Sequence, residues 1–213
     1  MTTTFLDHIT LTAPTLEAGA ALVRNALGVT PQTGGEHPRM GTHNLLLRLG
    51  PALFLEVIAP NPTAPAPPRP RWFALDRLQP DSPPALSTWV VRTTDIPASS
   101  ALASEDLGLI EPMSRGHLNW HITIPPDGSL PMDGAAPALI EWHTESHPAA
   151  GLPDLGLWLA QFTVFHPEPD RIRRLLASLN LSAPVNVQPP APGTRTRLAA
   201  VIGTPQGFQV LGD

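Results

Sequence analysis

Between Asn61 and Pro84 proline falls so densely (NPTAPAPPRP, then QPDSPP) that neither a helix nor a central strand can run through. The segment reads as a crossover linker, with Arg71–Leu75 (RWFAL) able to form a short docked turn inside it. Before it, residues 4–13 alternate in a strand-like way, with Phe5, Asp7, Ile9 and Leu11 on one face and Leu6, His8, Thr10 and Thr12 on the other. Leu16, Ala20, Val23 and Leu27 then recur at helical spacing, with Thr15 placed to cap the start and Gly28 the end. TPQTGGEHPRM is a loop or a weak strand, and a hairpin follows from Gly41 to Pro60. After the linker the same succession returns: a strand at Leu86–Thr94, a short helix capped by Asp95, then strands at Leu118–Ile124 and Ala138–Thr144. A third pass runs through Leu159–Phe165, a helix at Arg171–Leu179 and short strands to Leu211. A period of roughly 70 to 80 residues, each giving strand, helix and strands, is too long for a solenoid. It predicts an α+β fold in which tandem βαβββ units form a cupped, mostly antiparallel sheet with helices outside.

The hairpin GTHNLLLRLGPALFLEVIAP concentrates the chemistry. Two apolar runs flank Gly50-Pro51, and Glu56 interrupts the second. A carboxylate in an apolar strand is costly to bury unless something pairs with it, protonates it or coordinates to it. With Leu49 set opposite Ala52, His43 falls opposite Ile58 and shares a face with Glu56, while Asn44 points the other way unless Gly41-Thr42 makes a bulge. His43 and Glu56 are therefore candidate catalytic residues. Asn44, Arg115 (for an anionic substrate group), Trp120, Trp142 (an aromatic wall) and His143 are candidate substrate contacts. His37, His117, His147 and His166 neighbour proline or glycine in loops and read as surface residues.

Composition narrows the chemistry. All 13 cations are arginines, the net charge is -5 and no basic stripe appears, which argues against nucleic acid and membrane as partners. With no cysteine, lysine or tyrosine, there is no thiolate, Schiff-base lysine or phenol, and His, Asp, Glu, Ser and Thr carry any acid–base chemistry. No apolar run approaches the roughly 18 residues of a membrane span, and MTTTFLDHIT lacks the marks of a leader, so a cytoplasmic protein is expected. Nucleophile-elbow, phosphate-loop, dinucleotide and helical zinc-protease motifs are absent.

A unit opening with LDHI and closing with LEVIAP resembles the vicinal oxygen chelate superfamily. EHPRMGTHNLLLRLG, LFLEVIAP, RGHLNWHI and PALIEWH together resemble its glyoxalase-like domain family, over about residues 5–148. The resemblance implies two units cupped around a divalent metal held by the first and last strands of each. Carried over by position, the ligands are His8, Glu56 and Glu141, with Thr88 or Trp89 where a fourth is expected. It also implies a glyoxalase-like domain at 1–148 (units 1–60 and 85–148, linker 61–84); by its element order alone, without the family's motifs, 149–213 is expected to be a third βαβββ-like unit packed on the same sheet. The function implied is the binding of a small oxygenated organic molecule, with lyase, isomerase or dioxygenase chemistry at the metal. The alternative is a metal-free binding or sequestering protein of bleomycin-resistance type. Members of the superfamily often pair edge to edge, so a homodimer is a further expectation.

Overall fold

The computed structural model describes residues 2–212. Twelve strands and three helices follow one another as β1 (Phe5–Thr12), α1 (Leu16–Leu27), β2 (Gln32–His37), β3 (Thr42–Gly50), β4 (Leu53–Pro60), β5 (Ala85–Arg92), α2 (Ile96–Leu102), β6 (Leu109–Arg115), β7 (Leu118–Ile124), β8 (Ala138–Trp142), β9 (Trp158–Phe165), α3 (Pro169–Ser178), β10 (Val185–Gln188), β11 (Arg197–Thr204) and β12 (Gly207–Leu211). The helix ends follow local chemistry. Thr15 accepts from Ala18 N at the start of α1, Gly28 closes it at φ 72°, and Asp95 accepts from Ala98 N to open α2.

The first two units form one curled sheet in the order β2-β3-β4-β1-β5-β8-β7-β6. They meet where β1 and β5 run antiparallel, so the second unit repeats the first in mirror order. Within this sheet, parallel pairing joins the first and last strands of each unit, β1 with β4 and β5 with β8. That pairing brings two strands distant in sequence side by side at the centre of the cup.

The third unit departs from the expected arrangement. It does not extend the sheet but forms its own, in the order β10-β9-β11-β12, a strand order neither of the other units has. It packs against the outer face of the first sheet: Phe162 meets Trp89 with ring centroids 5.3 Å apart, and Val164, Leu198 and Ile202 join Ile9, Leu11 and Val57 in one core. Both faces are apolar, so face-to-face stacking removes far more apolar surface from water than edge pairing would.

The proline-rich crossover closes the mouth of the cup. Trp72, Phe73 and Leu75 are buried against Met40, Ile58, Trp120 and Ile140. Phe73 and Ala74 take left-handed backbone conformations (φ 57° and 54°), which cost side-chain-bearing residues about 1–2 kcal/mol each. Ala74 N donates to Gly128 O at 2.8 Å, and Arg71 Nη1 is tied to Asp76 at 2.6 Å, so the turn is held from both sides. Among the described residues no helix is long and apolar enough to cross a membrane.

Candidate functional site

The inner face is set by register. β4 pairs with β1 so that Thr10 lies opposite Glu56, and with β3 so that Leu46 lies opposite Glu56 and Asn44 opposite Ile58. The hairpin turns through Pro51-Ala52, pairing Gly50 with Leu53, and an irregularity between Arg48 and Gly50 shifts the remaining pairs. Because side chains alternate along a strand, this single step puts Asn44 on Glu56's face and His43 on the other. His43 faces away from the cup, where burial lowers its pKa and the Glu17 and Glu36 carboxylates only partly oppose that shift. The expectation of a catalytic His43 beside Glu56 is thus corrected by one residue of register.

A second irregularity lies in β1. Its pairing with β5 steps from Leu6–Val91 to His8–Val90, leaving Asp7 as an extra residue. A bulge of this kind re-aims a side chain. Asp7, expected to share a face with Ile9 and Leu11, instead lies fully buried beside His8. Its carboxylate receives His8 Nδ1 at 2.6 Å, Trp142 Nε1 at 2.9 Å and His147 Nε2 at 2.9 Å. Burial by itself would raise the Asp7 pKa, but the hydrogen bonds from His147 and His8, with their charges, outweigh it and hold it well below the usual carboxylate range. His147 Nδ1 accepts from Ala149 N at 3.2 Å, which leaves Nε2 as its donor to Asp7.

His8 is pinned between two carboxylates. With Nδ1 on Asp7, its Nε2 faces Glu56 Oε2 at 3.6 Å, and its ring stacks on Phe54 at 4.4 Å. Glu56 is 5% exposed; Asn44 Nδ2 donates to its Oε1 at 2.6 Å and the Thr10 hydroxyl to its Oε2 at 3.3 Å. These partners explain how a carboxylate survives in an apolar strand.

Around this line the cavity is aromatic. Phe54, Trp72, Phe73, Trp120 and Trp142 wall it together with Ile122 and Ile140, while His37 and Arg115 supply the remaining polar groups. Trp120 and Trp142 meet at 5.2 Å, and the edge of His37 approaches Trp72 and Trp120. In this closed form the cavity holds about 20 Å³, room for one water. Arg115 also lines an open depression of about 310 Å³ with Gly34, Leu46 and Ser146. Burial pulls the Arg115 pKa down and the Glu56 charge partly restores it. His37 is driven well below its ordinary value, first by burial and then by the Arg115 charge, so it stands neutral.

Two adjacent glycines of β2 seat this arrangement. A Cβ at Gly34 would collide with the Asn44 side chain, and one at Gly35 would come within 2.9 Å of Arg115 Cγ and Cδ. Any other residue there would displace a side chain from the cup.

Glu141 and His143 lie elsewhere. Glu141 pairs with His121 and Trp142 with Trp120, so alternation sends Trp120 and Trp142 inward and Glu141 outward. The Glu141 carboxylate accepts from Ile96 N at 2.8 Å, capping α2, and His143 Nε2 lies 3.0 Å from His121 Nδ1. The inward positions of the second unit facing His8 and Glu56 are filled by Val90 and Ile140 instead.

These residues do not make the divalent-metal centre that the ligand set His8, Glu56 and Glu141 implied. His8, Glu56 and His37 line the cavity, but His37 is not grouped with the other two and its Nδ1 is bonded to the Thr42 hydroxyl; the Arg115 cation acts on Glu56, and Asn44 already occupies one Glu56 oxygen. Among the described residues no group of three or more His, Asp or Glu side chains is placed to hold a metal ion. A divalent ion would be left with half a shell.

The sequence reading missed Asp7, Thr10, His37, His147 and Trp72. His37 and His147, read as surface residues, are buried or nearly so, and His166 is buried too, its Nδ1 accepting from Glu168 N. The LDHI segment holds the one signal that could have flagged Asp7, an acidic residue in an apolar strand next to a histidine.

The comparisons with known proteins agree with this architecture. A model of the glyoxalase-like domain matches residues 6–180, reaching beyond the two sheet-forming units into α3. No curated protein matches the chain. Among solved structures, a hypothetical protein from Staphylococcus aureus superposes with a TM-score of 0.62 at 13% identity, over 88% of this chain and 86% of that one. Methylmalonyl-CoA epimerase from Mycobacterium tuberculosis gives 0.40 at 15% identity over 64% and 85% of the two chains. A variant of the Streptomyces coelicolor epimerase, in complex with 2-nitronate-propionyl-CoA, gives 0.42 at 18% identity over 65% and 97%. At these identities the S. aureus likeness is one of fold, and the two epimerase likenesses are weaker still. With a family model spanning most of its length, and with the mirrored pair of βαβββ units in one cupped sheet, the chain belongs to the glyoxalase-like domain family.

Proposed function

We propose that the cup takes in a small oxygenated organic molecule and that His8 and Glu56 move a proton on it without a bound metal. The observation that supports this is the line Asp7–His8–Glu56. Asp7 fixes the orientation of the imidazole, and the second ring nitrogen is aimed at a carboxylate in an apolar chamber. One of the pair accepts a proton from a carbon or oxygen of the ligand, and the other returns one to a neighbouring position. That is general acid–base chemistry of isomerase or lyase type, worth about 10²–10⁴-fold in rate. Asn44 and Thr10 orient the Glu56 carboxylate, and the aromatic walls exclude water and hold the carbon skeleton. The closed cavity is too small for such a ligand, so the Trp72–Phe73 turn, which carries no sheet pairing, is the wall that must yield.

The test is hydrogen–deuterium exchange into short 2-hydroxy and 2-oxo acids and hydroxyketones in heavy water, followed by proton NMR. The wild type should exchange a C–H adjacent to the oxygenated carbon, and Glu56→Gln and His8→Gln should each lose at least about 100-fold. Saturable binding of these compounds with no exchange by the wild type would sink the proton-transfer reading. It would favour the second one, a binding protein using the same aromatic walls.

A further inference from the structure

Two donors that line the cup have nothing to donate to. Arg115 is 9% exposed, yet among the described residues its guanidinium has no hydrogen-bond or ion-pair partner. The other partly buried arginines are all engaged: Arg69 with Glu111, Arg71 with Asp76, Arg92 with the carbonyls of Leu6 and Ala52. Trp72 Nε1 is buried without an acceptor, whereas the indoles of Trp89 and Trp142 donate to Ala135 O and Asp7. A buried donor left unpaired costs about 1–3 kcal/mol, which is the position of Trp72 Nε1; the Arg115 guanidinium, without a protein partner, reaches the open depression, and both residues line the same cavity. Gly35 keeps the aliphatic stem of Arg115 flat against β2, holding the guanidinium between the inner cavity and the open depression outside it.

We propose that Arg115 and Trp72 Nε1 seat a carboxylate of the ligand, which enters from the open depression with its reacting carbon toward His8 and Glu56. The proposal rests on the cup being the ligand site and adds the substrate class: a small monocarboxylate with an apolar body. A guanidinium presents paired N–H groups that match a carboxylate's two oxygens, and the indole N–H adds a third donor. A single guanidinium beside one buried carboxylate, Glu56, suits a monoanion. A dianionic phosphate would meet Glu56 with no second arginine to balance it.

Ligand-observed NMR titration at constant ionic strength tests this, with propionate, propionamide and inorganic phosphate as probes. These probes need no turnover, so the result is independent of proton transfer. Propionate should bind saturably, propionamide at least tenfold more weakly, and phosphate more weakly than propionate. Arg115→Met should lose at least tenfold for propionate, Arg115→Lys less, and Trp72→Phe a few-fold. Should Arg115→Met not fold, the propionate–propionamide ratio on the wild type decides. Equal binding of acid and amide, tighter binding of phosphate, no propionate binding by the wild type, or undiminished propionate binding by Arg115→Met each overturns the assignment. Proton exchange without carboxylate discrimination would leave the acid–base reading standing and remove only this one.

Discussion

His8 Nδ1 lies 2.6 Å from Asp7 Oδ1, although the two residues are neighbours in a strand, where successive side chains ordinarily point to opposite faces. The bulge at Asp7 makes the contact, and it turns an ordinary strand histidine into one whose far nitrogen is aimed at Glu56. Replacing Asp7 by Asn keeps the shape but breaks a fully buried ionic cluster. Such a loss costs about 3 kcal/mol or more, which in a chain of this size lowers Tm by roughly 6–12 °C. Calorimetry of Asp7→Asn should show that drop, and a shift under about 2 °C would mean the cluster contributes little to the fold.

The same group sets an acid limit. Its folded pKa is depressed, so its contribution is fully present above the unfolded carboxylate value of about 3.9 and is lost as pH falls toward the folded value. The titratable groups facing it are His8 and His147. Urea unfolding of wild type and Asp7→Asn should therefore show a stability gap that is steady above about pH 5 and narrows below about pH 4. A gap unchanged down to about pH 3 would contradict the depressed carboxyl.

Asn44 and His43 are adjacent, yet only one should matter. Asn44→Ala removes the donor to Glu56 and leaves a buried carboxylate oxygen short of a partner, at a cost of about 1–3 kcal/mol. His43→Ala, on the far face, should change stability by no more than about 0.5 kcal/mol and leave ligand exchange intact. The opposite ranking in denaturant midpoints would restore the register that puts His43 inside.

Trp72 covers the mouth of the cup. Trp72→Ala should cost about 3–5 kcal/mol, the range for truncating a buried aromatic. It should also speed ligand association in stopped-flow traces, because the chamber no longer waits for the turn to move. Slower association would place the entrance elsewhere.

Divalent metal should be dispensable. Chelation should leave Tm and proton exchange unchanged, and added Zn²⁺ or Mn²⁺ should give no stabilisation that Glu56→Gln removes. A metal-dependent rise in Tm abolished by Glu56→Gln would show that the cup completes a coordination shell its present donors do not.

Local pattern carried much of this protein. The proline-dense crossover, the helix caps Thr15, Gly28 and Asp95, and the inward or outward period of each strand are properties of short windows, and they suffice for two βαβββ units in a cupped sheet. Glu56 stood out because a charge in an apolar strand demands a partner, and His8 because it opens the strand that such a fold places beside it. Which residues answer that demand was a tertiary matter. Two one-residue irregularities, near Leu49 and at Asp7, exchange Asn44 for His43 and bring a carboxylate behind His8; an acidic residue beside a histidine in LDHI marks Asp7, but the shifts in pairing themselves depend on the partner strands. Glu141 looked like a second Glu56 but was carried outward by its pairing with His121. His37, His147 and Trp72 come from loop-like segments whose burial depends on what the sheet curls around. Period 2 fixes that side chains alternate; only the hydrogen-bonded register between strands decides which half of them meets in the cup.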